Sequence, residues 1–231
     1  MAGGHENKGG LASYPSYVDL DEFIDVERLK SLDGFVADRV RSRIGAPDDL
    51  KFYTGPFLRD PGTASVPGPC MVYLARSKDP VEYYNLDQPD CWEPTEAAVE
   101  FAPLMDFIAT LPFKATGRMI IIYDESGRAV SAHRDHDTAD LCHEFIWFRT
   151  NLEKPFFMLD PDTGEKVYVR SHSAWFDTVN QFHGGDATGK LSISIRVDGI
   201  FSDEFRSQIP FPRKGRAAAP ALWANAMAAG R

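Results

Sequence analysis

The stretch Ala129-Val130-Ser131-Ala132-His133-Arg134-Asp135 decides how the chain is read. It follows a turn signal, Asp124-Glu125-Ser126-Gly127, and has the texture of a β-strand. Side chains on a strand alternate with a period of two, so His133 and Asp135 point to the same side of it. Further along, His183 stands just before the Gly-rich run Gly184-Gly185-Asp186-Ala187-Thr188-Gly189. From a neighbouring strand it brings a second imidazole to the same face. Two histidines and one carboxylate on one face of a metal leave its other positions open, and this is the usual protein site for catalytic non-haem Fe(II). The adjacent His136 and Asp137 permit two other pairings, His136 with Asp135 and His133 with Asp137. The two-residue spacing favours His133 with Asp135.

Outward from this stretch the texture stays β. Residues 118–123 form an almost unbroken apolar run, as in a strand covered on both faces. Residues 143–151 alternate, with Phe145, Trp147 and Arg149 on one side and Ile146 and Phe148 on the other. Residues 156–159 and 166–170 flank Asp160-Pro161-Asp162-Thr163-Gly164-Glu165, a hairpin signal. Residues 174–183 and 190–201 flank the Gly-rich run as a second hairpin. On that last strand Lys190, Ser192, Ser194 and Arg196 share one face, and Leu191, Ile193, Ile195 and Val197 the other. Strands in this number, with short turns and helices before them, predict a mainly β fold, a barrel or sandwich backed by helices.

The N-terminal half supplies the helices. Between Asp19 and Ile44 the apolar residues Phe23, Val26, Leu29, Phe35, Val36, Val40 and Ile44 recur at mostly helical spacing. Asp33-Gly34 is a breaking point between two short helices. Thr95 caps a further helix running to about Leu111, where Pro112 ends it; its inner stripe is Val99, Leu104, Phe107, Ile108 and Leu111. Residues 45–94 are rich in Pro, Gly and Asp, with one apolar run at 70–75 that suits a buried strand. Long irregular segments often line binding sites, and Phe52, Tyr53, Phe57, Tyr83, Tyr84 and Trp92 are candidates for a pocket wall. One domain is expected: a flexible start at 1–16, helical and loop support at 17–114, a β core at 115–202 and a tail at 203–231.

Composition narrows the function classes. With 43% hydrophobic and 26% charged residues in 231, the chain has the make-up of a globular protein with a full core. A formal net charge of −9 argues against a general nucleic-acid surface. The polar, Gly-rich start lacks the apolar core of a signal peptide, and no apolar run is long enough to span a membrane. Cys70, Cys91 and Cys142 form no disulfide framework and suit reduced thiols in a cytoplasmic protein. There is no Gly-x-Ser-x-Gly elbow and no phosphate loop ahead of a helix.

Residues 119–135, 143–151, 175–183 and 192–198 together resemble the Fe(II)/2-oxoglutarate-dependent oxygenases, with the character of small amino-acid hydroxylases and aspartyl/asparaginyl-hydroxylase-like members. The resemblance covers roughly 115–202. It implies a double-stranded β-helix, a cupin-like jelly roll, with His133, Asp135 and His183 as iron ligands and 2-oxoglutarate and O2 as cosubstrates. It also implies a basic residue on the strand after the distal histidine, facing the far carboxylate of 2-oxoglutarate. Arg196 suits that place, because a planar guanidinium grips a carboxylate at two points; Lys190 is the alternative. Ser194 belongs to the same polar stripe, Tyr123 is a candidate hydrogen-bond donor to 2-oxoglutarate, and Arg149 is a candidate for holding a substrate carboxylate. The implied reaction is oxidation of a C–H bond, hydroxylation by default, with release of succinate and CO2. The expected substrate is a small polar or amino-acid-like molecule. Two rivals are a metal-dependent cupin that does not use 2-oxoglutarate and a jelly-roll binding module without catalysis.

Overall fold

β-Branched and aromatic residues dominate the chain from Phe113 onward, and there it forms strands, while the helices fall almost wholly before that point. The computed structural model describes residues 17–44, 50–51, 70–78, 89–135, 144–160, 162–178 and 181–208. The expectations for 1–16, for Phe52, Tyr53, Phe57, Tyr83 and Tyr84, for His136, Asp137 and Cys142, and for the tail beyond 208 lie outside those residues.

The helices are α1 (Val26–Ser31), α2 (Asp33–Arg43), α3 (Glu96–Glu100), α4 (Ala102–Ile108) and α5 (Asp203–Arg206). The strands in the first half are β1 (Val18–Asp19), β2 (Leu50–Lys51), β3 (Cys70–Ser77) and β4 (Trp92–Pro94). The core strands are β5 (Phe113–Asp124), β6 (Val130–His133), β7 (Phe145–Phe148) and β8 (Phe156–Leu159). They are followed by β9 (Lys166–Tyr168), β10 (Ser173–Trp175), β11 (His183–Gly185) and β12 (Ser192–Phe201). One sheet of eight strands runs β1-β10-β7-β12-β5-β3-β2 with β4 added beside β3, and a second of four runs β6-β11-β8-β9. Every pairing between the described strands is antiparallel.

The sheets face one another. Trp147 of β7 stacks on Phe156 of β8 with ring centroids 4.5 Å apart, and Phe176 packs edge-on against Trp147. The larger sheet is covered on its other face by helices: Phe107 of α4 meets Phe148 of β7 edge to face at 5.5 Å. The parity of β12 therefore has a physical meaning. Ile195, paired with Phe148 and Ile121, looks to the helices, while Arg196, paired with Trp147 and Ile120, looks between the sheets. This is the expected double-stranded β-helix, mainly β with flanking helices. Among the described residues no helix is long and apolar enough to cross a membrane.

Several sequence expectations are refined. The break at Asp33 is real: α1 ends at Ser31 and α2 begins at Asp33, with Asp25 capping α1 through the Arg28 N–H at 3.0 Å. The helix expected from Thr95 to Leu111 is two helices meeting at Phe101, because Pro103 cannot donate a backbone hydrogen bond and crowds the preceding turn. The break shifts the inner stripe: Val99 is 79% exposed, and Ala97, Ala98 and Phe101 go inward. Thr95 starts α3 but gives its hydroxyl to Tyr73 O at 2.5 Å, tying the helix to β3 rather than capping it.

The second hairpin is not formed. Residues 174–183 belong to β10 in one sheet and β11 in the other, and β12 lies in the sheet opposite β11. The glycine pair that suggested a turn sits inside β11. A Cβ on Gly184 would lie 2.6 Å from Val130 O and 2.8 Å from the Phe157 ring, so only glycine lets β11 lie this tightly between β6 and β8. Within that run the backbone turns at Gly189, whose φ of +67° disfavours a side chain, and not at Gly184-Gly185.

Gly184→Ala is expected to lower unfolding stability by about 1–3 kcal/mol through overpacking. Gly34→Ala, in α2 with no atom within 4 Å of the added Cβ, is expected to be neutral or stabilising by up to about 1 kcal/mol. Urea denaturation of both variants against the parent measures the contrast.

Candidate metal centre

β11 brings the two histidines together. His183 pairs directly with His133 across the β11–β6 ladder, and their rings lie 4.5 Å apart between centroids. Asp135 lies two residues past the end of β6, not on the strand, and its N–H donates to Thr178 O at 2.9 Å. That bond turns the carboxylate back to the histidines. His183 Nε2 is 3.3 Å and His133 Nε2 3.8 Å from the same oxygen, Asp135 Oδ1. One donor atom from each residue falls within 4.8 Å of the others, the only such group found among the described residues.

The donors are prepared for a cation. His133 Nδ1 lies 2.8 Å from Ser131 O, and His183 Nδ1 3.3 Å from Gln181 O. A carbonyl oxygen only accepts, so each Nδ1 carries a proton, and Nε2 is the nitrogen of each ring turned toward Asp135. Read as ion pairs, the close contacts to Asp135 would require protonated imidazoles. His133 is pushed the other way: burial, then the neighbouring His183, lowers its pKa. Burial works to raise Asp135, but His183, Arg196 and His133 outweigh it and hold the carboxyl well below its ordinary range. Two imidazoles with their Nδ1 atoms facing carbonyls, and a carboxylate held ionised, form a donor set that fits a divalent transition metal.

Arg196 crosses from the larger sheet to complete the centre. Its Nη1 donates to Asp135 Oδ2 at 2.9 Å, leaving Oδ1 as the oxygen turned to the histidines. Its Nε and Nη2 donate to Asp198 Oδ1 at 2.9 and 2.8 Å, and Arg118 Nε donates to the other oxygen of Asp198 at 2.9 Å. The guanidinium lies 3.9 Å from the centroid of the Phe145 ring. Burial works to lower Arg196, and Asp198 and Asp135 overcome it and raise its pKa. The Phe176 and Phe156 rings stand 5.1 and 6.0 Å from the His183 ring and exclude water from that side.

The other candidates are placed as follows. Ser194 shares the face of Arg196 on β12. Tyr123 pairs with Ile193, which puts it on the opposite, helix-side face, and it is 2% exposed in that core. The structure does not bring it to the metal group. Lys190 precedes the strand, is exposed, and lies 3.5 Å from Glu153. Arg149 is 2% exposed, and its guanidinium donates to Lys154 O, Val169 O and Ser171 O, the first two at 2.6 Å. Burial without a carboxylate in hydrogen-bond contact pushes it down to about 10. It borders a cavity of about 320 Å³ with Lys154, Tyr168 and Arg170, whose wall includes none of the three ligand residues. Sequence reasoning missed Asp198, Arg118 and the carbonyls of Ser131 and Gln181. Asp198 was recoverable, being two residues past Arg196 on the same strand face.

No protein-family model matches the chain, and no curated protein sequence matches it. Solved structures do. A prolyl hydroxylase of Trichoplax adhaerens, solved with a hypoxia-inducible-factor peptide, is similar at 10% identity and TM-score 0.47, over 84% of this chain and 86% of its own. A Pseudomonas putida prolyl-4-hydroxylase is similar at 12% identity and TM-score 0.45, over 80% and 92%. A non-haem α-ketoglutarate-dependent epimerase of nogalamycin biosynthesis is similar at 13% identity and TM-score 0.40, over 89% and 90%. Likeness at this level transfers no residue role or substrate.

The lowered pKa of His133 sets a pH dependence for the metal-free protein. The folded chain holds this imidazole neutral, whereas the unfolded chain takes up a proton near pH ~6.5. Stability from this group is therefore full above that pH and is lost as pH falls below it, by at most about 1.4 kcal/mol per pH unit. Denaturation in chelator at pH 7.5 and 5.5 is expected to show a smaller loss for His133→Asn than for the parent.

Proposed function

We propose that the chain is an Fe(II)- and 2-oxoglutarate-dependent dioxygenase that hydroxylates a C–H bond of a small polar or amino-acid-like substrate in the cytoplasm, releasing succinate and CO2. The observation that carries this reading is the convergence of His133 Nε2, His183 Nε2 and an Asp135 oxygen within 4.8 Å, with both Nδ1 atoms tied to carbonyls. Such a donor set occupies one face of an iron and leaves room for cosubstrates.

In this reading the chain's task is to position and to shield. His133, Asp135 and His183 hold the iron, and Arg196 keeps one oxygen of Asp135 turned away from it. Arg196 has five N–H groups, three of them used in its bonds to Asp135 and Asp198. The remaining two point to the role expected from sequence, anchoring the far carboxylate of 2-oxoglutarate beside Ser194. Phe145, Phe156 and Phe176 keep water from the buried side of the centre. Iron with 2-oxoglutarate and O2 supplies the oxidising power when bound, and the protein supplies geometry and a dry wall. A metal enzyme that does not use 2-oxoglutarate is the second reading, favoured by the prior engagement of Arg196 with two carboxylates.

Anaerobic addition of Fe(II) and then 2-oxoglutarate to the metal-free protein separates the two. A weak visible charge-transfer band that needs both additions is expected, and Asp135→Ala is expected to abolish it. Iron binding without the band would select the second reading, and no iron binding would overturn both.

A further inference from the structure

The loop from β7 to β8 and the chain leaving β9 border a cavity of about 320 Å³. Three cations stand in its wall, Arg149, Lys154 and Arg170, and no acidic residue does. None of the three has an ion-pair partner among the described residues. Arg149 and Lys154 spend their hydrogen bonds on backbone carbonyls, Lys154 on that of Arg128. Arg170 is exposed; its backbone N–H donates to the Tyr17 hydroxyl, and its guanidinium has no bonding partner among the described residues. The carboxylates whose charge reaches Arg149 and Lys154 are committed elsewhere. Asp21 accepts from the His172 and Ser173 N–H groups, Asp124 from those of Ser126 and Arg128, and Asp186 from Lys166 and Tyr168. A buried cation is normally paired, and Arg149, at 2% exposure, is not.

We propose that this cavity binds a small organic oxyanion, a carboxylate or phosphate group carried on an apolar body. Arg170 supplies a planar fork free to grip two oxygens. Arg149 and Lys154 add positive charge from positions that solvent screens less than the open surface. Leu152, Pro155, Tyr168 and Val169 complete the wall, and a bare inorganic ion would leave them unused. The volume stands at the lower end of the range for ligand pockets, about 300–1,000 Å³. The site is separate from the metal centre, since none of the three ligand residues lines it. Contact from Arg149 to His183 runs through two stacked rings, Trp147 at 5.2 Å from the guanidinium and Phe156 at 6.0 Å from the imidazole. The proposal does not rest on the oxygenase reading.

Isothermal titration of the metal-free protein with phenylacetate and with phenyl phosphate, at low ionic strength, tests this. Saturable binding of at least one is expected, and the tighter of the two identifies the head group. Phenylacetamide lacks the charge and inorganic phosphate lacks the apolar body; each is expected to bind at least about ten-fold more weakly. Arg170→Gln removes the free guanidinium, and Leu152→Trp, at a residue 42% exposed, fills the cavity. Each variant is expected to weaken binding about ten-fold or more while melting with the parent. Binding of neither organic anion overturns the proposal. So does equal binding of phenylacetamide or inorganic phosphate, or binding that a folded variant leaves intact. Where one variant melts well below the parent, the other decides; where both do, these side chains serve the fold and the proposal falls. Neither iron nor 2-oxoglutarate is present, so failure here leaves the charge-transfer test standing, and failure there leaves this one standing.

Discussion

His183 faces His133 across one rung of an antiparallel ladder, and the candidate metal centre is assembled outward from that rung. Side chains on a strand change face at every residue, so a slip of one position would send His183 out of the site. The register is held from both sides. β11 pairs with β6 on one edge and β8 on the other, and Gly184 lets the three strands come close enough to do so. Asp135 and Arg196 are then added from a loop and from the opposite sheet. The site joins both layers of the jelly roll.

Charge is arranged in that interior by alternation. Arg118, Asp198, Arg196 and Asp135 form a chain of opposite signs, each member bonded to the next. In this chain Arg196 and Asp198 are both buried, and breaking such a pair by removing one partner typically costs about 3–5 kcal/mol, because the survivor is left without compensation. Arg149 shows the other solution in the same fold. It is held by backbone carbonyls and by the Trp147 face rather than by a bonded carboxylate, and its pKa falls accordingly. One arginine is built into the electrostatics of the centre, and the other fastens loops together.

The legible part of the sequence was the part governed by short-range periodicity. The β texture, the strand at 70–75, the break near Asp33 and the meeting of His133, Asp135 and His183 in one group could be read from residue type and spacing. Elements decided by distant contacts could not. Gly184-Gly185 looked like a turn because glycine favours turns, but its freedom is spent on close packing between strands. Thr95 looked like a cap, yet Tyr73 O, across the chain, claimed its hydroxyl. Tyr123 lay beside the right strands but on the wrong face, a matter of parity that only the position of the helices decides. The engagement of Arg196 with Asp135 needed the two sheets to meet.

The crossing of the chain from β11 in one sheet to β12 in the other bears on how the protein folds. Neither sheet can be completed as a run of local hairpins, since from β5 to β12 the chain passes back and forth between the layers, with β8 and β9 the one neighbouring pair that stays in a single sheet. Non-local pairing of this kind places β folds toward the slow end of the folding range, about milliseconds to seconds. His133, Asp135 and His183 meet within the smaller layer, and Arg196 joins them only when both layers have closed. A chain in which the layers have not closed therefore lacks the guanidinium that fixes the Asp135 carboxylate. On the oxygenase reading proposed above, only a finished molecule offers iron a carboxylate already fixed in place.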